Sequence, residues 1–166
     1  MDVRDYLRKS IQPKQKIALL GVGSTLRSDD AAGMYFIELL EELLHQERTL
    51  LISGSTAPEN FTGVIKEFAP DKLFIVDAAH MGLLPGEVKP VPASDIGGVS
   101  FSTHMLPIPV MLKYLESEAG CEVVFIGIQP KSIEQGLSMC EEVKRGTEQL
   151  VKDFYDVLTI SPEGQH

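Results

Sequence analysis

Three stretches of the chain, KIALLGV (16–22), KLFIVDA (72–78) and CEVVFIGI (121–128), are apolar almost without interruption. A strand with one wet face alternates apolar and polar residues, so unbroken runs of this length suit strands covered on both faces. Segments of helical spacing separate them. Residues 30–46 place Met34, Ile37, Leu40 and Leu44 on one side, and residues 105–118 read as a helix whose prolines fall in its first turn. Residues 138–158 read as an amphipathic closing helix, followed by a frayed tail. Residues 50–54 add a short strand, and 61–68 allow a short helix. Residues 86–91 suit an edge strand, because Pro90 cannot donate to a central ladder. At the N-terminus, 3–11 form a short amphipathic helix with Tyr6, Leu7 and Ile11 as its apolar side. Buried strands alternating with helices predict an α/β fold, a parallel sheet with helices on both faces and right-handed crossovers.

The 166 residues fit one domain, 1–166. A net charge of −9 repels a phosphate backbone and argues against nucleic-acid binding. No apolar run approaches the roughly 20 residues that cross a bilayer, and MDVRDYLRKS lacks an apolar signal core. A cytoplasmic protein with no membrane partner is the expectation. Cys121 and Cys140 form neither a CxxC pair nor a disulfide framework, and are expected to be reduced thiols.

In parallel α/β sheets ligands gather beyond the carboxyl ends of the strands. The stretch after the first strand, GVGSTLRSDDAAG (21–33), opens like a dinucleotide fingerprint but has Leu26 at the third glycine position. Without that glycine the close helix-to-strand approach is expected to be lost. No Gly-Lys-Ser/Thr follows, and two aspartates would oppose a pyrophosphate. Taken alone, Asp29 and Asp30 read as helix caps. Asp77 ends an apolar strand, where a buried carboxylate is costly without a partner. His104 stands at a helix start, in FSTHML. Asp30, Asp77 and His104 can all project above one sheet edge. Two oxygens and an imidazole suit a borderline divalent metal such as nickel or zinc, with positions left open for water or substrate. His80 is a further candidate ligand, read here as a surface histidine, while His45 and His166 carry no motif.

These residues lie within motifs that resemble the hydrogenase maturation endopeptidases. GVGSTLRSDDAAG is similar to that family's opening pattern GxGNxLxxDDGxG, and SGSTAPEN, LFIVDAAHMGLLPGEV, STHMLP and FIGIQP match in order. The resemblance covers about 16–158 and leaves 1–15 outside it. It is strongest to the branch that processes the hydrogenase 3 large subunit of the formate hydrogenlyase system. The resemblance implies a three-layer αβα sandwich with a twisted, mostly parallel sheet of about five strands. It implies an endopeptidase that removes the C-terminal extension from the nickel-loaded precursor of a nickel–iron hydrogenase large subunit, with the nickel carried by that precursor as a recognition handle. It implies metal contact through Asp30, Asp77 and His104, with Asp30 and Asp77 as the carboxylates for catalysis, and Asp29 as a supporting or capping residue.

Two departures from the pattern stand out. Ser24 replaces the usual asparagine and can still cap a turn. Ala31 stands where the pattern has glycine; alanine would be strained at positive φ but is better than glycine in a first helical turn, and the helical pattern that starts there favours the second case. A non-catalytic nickel-dependent checkpoint module for the same precursor is the alternative function, and a nucleotide or nucleoside enzyme on a similar scaffold is a third.

Overall fold

The computed structural model describes residues 2–91, 100–101, 113 and 115–160. Its strands are β1 (Ile17–Val22), β2 (Thr49–Ser55), β3 (Lys72–His80), β4 (Val88–Val91), β5 (Ser100–Phe101) and β6 (Glu122–Ile128). The main sheet has the order β2-β1-β3-β6-β4, with β5 paired to the end of β3. β2, β1, β3 and β6 are parallel, and β4 runs antiparallel on β6. Pro90 thus lies on an edge strand, as its missing N–H requires.

The unbroken apolar runs are explained by cover on both sides. Every residue of β1 is buried, and β3 is buried from Leu73 to Ala79. Alternation sends Leu19, Phe74, Val76 and Ile126 to one face, and Ala18, Leu20, Leu73, Ile75 and Phe125 to the other. Helices α1 (Val3–Ser10), α2 (Ala32–Leu43) and α4 (Glu141–Leu158) cover the first face; α3 (Thr62–Phe68) and the π-helical turn Leu115–Ala119 lie on the second. Phe154 of α4 joins the layers, its ring edge-on to Phe36 at 5.3 Å and to Phe74 at 5.2 Å. This is an αβα sandwich with a mostly parallel sheet.

Several expected boundaries move. α2 is preceded by a 3-10 turn, Ser28–Ala31, rather than starting at Asp30. α4 begins at Glu141 instead of 138, because Cys140 is extended (φ −72, ψ 158) and gives its N–H to Asp29. The helix expected over 105–118 falls largely outside the described residues, as does the tail 161–166.

The loss of close helix–strand approach, expected from Leu26, is not observed. A Cβ on Gly21 would stand 2.3 Å from the Gly33 carbonyl oxygen, and one on Gly33 would stand 2.3 and 2.4 Å from the Val22 and Val76 oxygens. Gly33, seven residues beyond Leu26, does the work the fingerprint gives to its third glycine. The α2 N-terminus therefore rests directly on β1 and β3.

β1 leads through α2 to β2 on one side, while β3 lies on the other side of β1. The order reverses between β1 and β3, which makes their carboxyl ends the switch point where such sheets hold ligands. A cleft of about 660 Å³ lies at the opposite edge, lined by Arg8, Ile11, Lys14, Arg48, Val157 and Ile160 among others. It faces the start of the parallel strands, at the end of the sheet away from the switch point.

Candidate active site

The chain leaves β1 through Gly23, whose φ is +145. A side chain there would be strained, and its Cβ would meet the Asp30 carbonyl oxygen at 2.0 Å. The turn folds back so that the Ser24 N–H donates to Asp30 Oδ2 at 3.1 Å, while Ser24 Oγ accepts from the Leu26 N–H at 3.2 Å. Serine thus caps the turn in place of asparagine. Arg27 Nη1 lies 3.9 Å from Asp30 Oδ2, and Asp30 is only 1% exposed. A backbone amide that a phosphate loop would offer to its ligand is occupied here by the protein's own carboxylate. The nucleotide reading fails on that ground as well as on the pattern.

Ala31 has φ −77 and ψ −4. It lies in the right-handed region, so alanine costs no strain. The strained residue is Ser28 (φ +42), whose Oγ donates to the Ser132 carbonyl at 2.6 Å.

Asp29 does not cap its own helix: no side-chain cap bond is made at the start of either Ser28–Ala31 or α2. Its carboxylate reaches across to the segment after β6. Oδ2 accepts from the N–H groups of Lys131 (2.8 Å) and Ser132 (3.0 Å), and Oδ1 from that of Cys140 (2.8 Å). The Cys140 thiol adds a contact at 3.4 Å to Oδ2. Burial pushes the Cys140 thiol above its usual range, and the neighbouring Asp29 charge acts in the same direction. Asp29 therefore fastens the 131–140 loop and the start of α4 onto the aspartate turn. Two adjacent acids in one turn do two different jobs because one side chain turns back on its own loop and the other reaches a distant segment.

Asp77 is 1% exposed and sits opposite Gly127 in the β3–β6 register. It shares the strand face of Leu73 and Ile75. His80, three residues on, falls on the other face and is exposed, as a surface histidine. The turn carrying Asp30 touches β3. The two buried carboxylates are thus brought to one sheet edge from the two strands that flank the switch point. β5 pairs Phe101 with Ala79, two residues beyond Asp77. His104 lies outside the described residues. Among the described residues no three His, Cys, Asp or Glu side chains group closely enough to hold a metal.

One polar residue of this edge was not singled out from sequence. Gln129, in FIGIQP, is buried; its Oε1 accepts from the N–H groups of Met81 (2.7 Å) and Leu83 (3.3 Å), and its Nε2 donates to the Pro130 carbonyl at 3.1 Å. It ties the loop after β3 to the end of β6. The available signal was a glutamine directly after a buried apolar strand, where an unsatisfied amide is costly.

Fold and site together define an α/β protein that buries two carboxylates, Asp30 and Asp77, at its switch point, where a phosphate loop would present free backbone amides. A family model described as HycI, hydrogenase maturation protease, matches residues 34–156. The hydrogenase 3 maturation protease of Escherichia coli K12 is 35% identical over 131 residues, covering 78% of this chain and 83% of its own. The crystal structure of a [NiFe] hydrogenase maturation protease HycI from Thermococcus kodakarensis superposes with a TM-score of 0.86 at 31% identity, covering 93% of this chain and 99% of that one. A crystal structure of a hydrogenase 3 maturation protease gives 0.74 at 33% identity, covering 84% and 88%. The chain belongs to the hydrogenase maturation protease family and is a hydrolase of the endopeptidase type.

Proposed function

We propose that this endopeptidase removes the C-terminal extension from the nickel-loaded precursor of a nickel–iron hydrogenase large subunit, in the cytoplasm. The observation that carries the reading is the pair of buried carboxylates, Asp30 and Asp77, delivered to one sheet edge from either side of the switch point. Two carboxylate oxygens together with the imidazole of His104, three residues after Phe101 in the sequence, suit a borderline divalent ion carried by the substrate and make up the proposed contact set. Bound in this way, the precursor's nickel fixes the scissile bond beside a carboxylate, a positional gain. One of the two aspartates takes a proton from the attacking water as the C–N bond is cleaved, and the departing amine receives a proton. Asp30 is held for this task by the Ser24 N–H and by Arg27. The two unpaired thiols accord with a reducing compartment.

The test is incubation of the purified chain with nickel-loaded and nickel-free precursor under single-turnover conditions, with the products weighed by mass spectrometry. Loss of the extension from the nickel-loaded form alone is expected, and Asp30→Ala, Asp77→Ala and His104→Ala should each abolish it. Equal cleavage of both precursor forms refutes recognition through nickel. Nickel-dependent binding with no cleavage would establish the checkpoint module in place of the protease.

A further inference from the structure

The loops around the two aspartates carry large apolar side chains that the fold does not use. Leu26, Leu84 and Leu137 are 69%, 71% and 54% exposed. Each follows the carboxyl end of a different strand of the parallel set: β1, β3 and β6. Leu26 and Leu137 are brought together by the backbone, since the Gly136 N–H donates to the Leu26 carbonyl at 3.0 Å.

The loops that present them are firmly tied. The 131–140 loop is held by three N–H bonds and the Ser28 hydroxyl. The loop after β3 is held by Gln129 and by Gly86, whose N–H donates to the Gln129 carbonyl at 2.8 Å. Gly86 also packs so closely on α4 that a Cβ would meet the Glu142 carbonyl oxygen at 2.2 Å. Single exposed leucines need no explanation, but two carried on tied loops that a backbone bond joins, beside the aspartate turn, offer apolar surface to a ligand.

We propose that Leu26 and Leu137 form an apolar seat for a large aliphatic side chain of the precursor segment next to the scissile bond, with Leu84 extending it along the rim. The proposal rests on the protease reading above. The occupant follows from position and chemistry: the seat begins four residues before Asp30, and its side chains offer no hydrogen bonds, so a peptide side chain without polar atoms fits it. Because the seat is preformed, it binds ground state and transition state alike, and its loss is read in KM with kcat unchanged.

The experiment compares cleavage kinetics of nickel-loaded precursor by the unsubstituted chain, Leu26→Ser, Leu137→Ser, the double variant, and Leu26→Met/Leu137→Met. Leu43→Ser, an exposed leucine at the far end of α2, is the control. Exposed positions of this kind shift stability by only about 0.5 kcal/mol or less, so folding is retained in all of them. KM is expected to rise about tenfold for each serine, equivalent to about 1.4 kcal/mol. The methionine pair and the control should keep the original value. An unchanged KM in the double variant overturns the seat and leaves the protease reading standing. A rise in the Leu43→Ser control as large as in the loop variants also overturns it. No cleavage of the nickel-loaded precursor by the unsubstituted chain overturns both proposals.

Discussion

Asp29→Asn separates the structural aspartate from its neighbour. The carboxylate accepts three backbone N–H bonds across its two oxygens. Asparagine keeps one oxygen. Its better orientation leaves that oxygen on Lys131 and Ser132 and turns the amide nitrogen toward the Cys140 N–H, so a donor faces a donor. One charge-assisted bond, worth about 1.5–3 kcal/mol, is lost outright, and the two retained bonds weaken as their acceptor becomes neutral. The expected destabilisation is about 2–3 kcal/mol, or roughly 4–12 °C in Tm for a domain of this size. Urea unfolding gives the free energy, and amide hydrogen exchange locates it: Lys131, Ser132 and Cys140 should lose protection while β1 and β3 keep theirs relative to global unfolding. Asp30→Asn, which can retain the Ser24 bond, should cost less stability yet abolish cleavage. A stability change below about 0.5 kcal/mol in Asp29→Asn, with protection at 131–140 intact, would refute the clasp.

Other perturbations test the remaining geometry. Gly33→Ala should destabilise despite alanine's better helix propensity of about 1 kcal/mol, because its Cβ meets two carbonyl oxygens inside 2.5 Å; lowered Tm with reduced cleavage is expected, as the 3-10 turn that carries Asp30 runs directly into the α2 start. Tyr35 donates to Glu148 at 2.9 Å, and its hydroxyl is pushed up to about 12, first by burial and then by Glu148. The folded state thus holds this proton more tightly than the unfolded chain, where the phenol titrates near 10. The stabilisation is complete below about pH 10 and lost as pH rises toward 12. Tyr35→Phe should flatten that part of the stability–pH curve, measured by denaturant titration at pH 9 to 12.

The sequence by itself determined the layers. Runs such as IALLGV and LFIVDAA have no polar face to give to water, so they had to become strands covered on both sides, and Pro90 had to lie at an edge. The same logic singled out Asp30 and Asp77, because a carboxylate beside the carboxyl end of a buried strand stands where parallel sheets bind ligands; both are buried there, Asp77 within β3 three residues before its last residue and not at its end. Only tertiary structure decided what Asp29 does. Its partners, Lys131, Ser132 and Cys140, lie more than a hundred residues away, and no local pattern distinguishes a cap from a clasp to a distant loop. The glycine that lets α2 approach β1 and β3 was likewise hidden, since Gly33 matters through oxygens of two strands and not through spacing from Gly21. The opening GVGSTLRSDDAAG looked like a phosphate loop with charges of the wrong sign. Once folded, its Ser24 amide holds Asp30 and its other acid holds the opposite loop, because backbone donors placed at a switch point bind whichever anion the chain itself brings there.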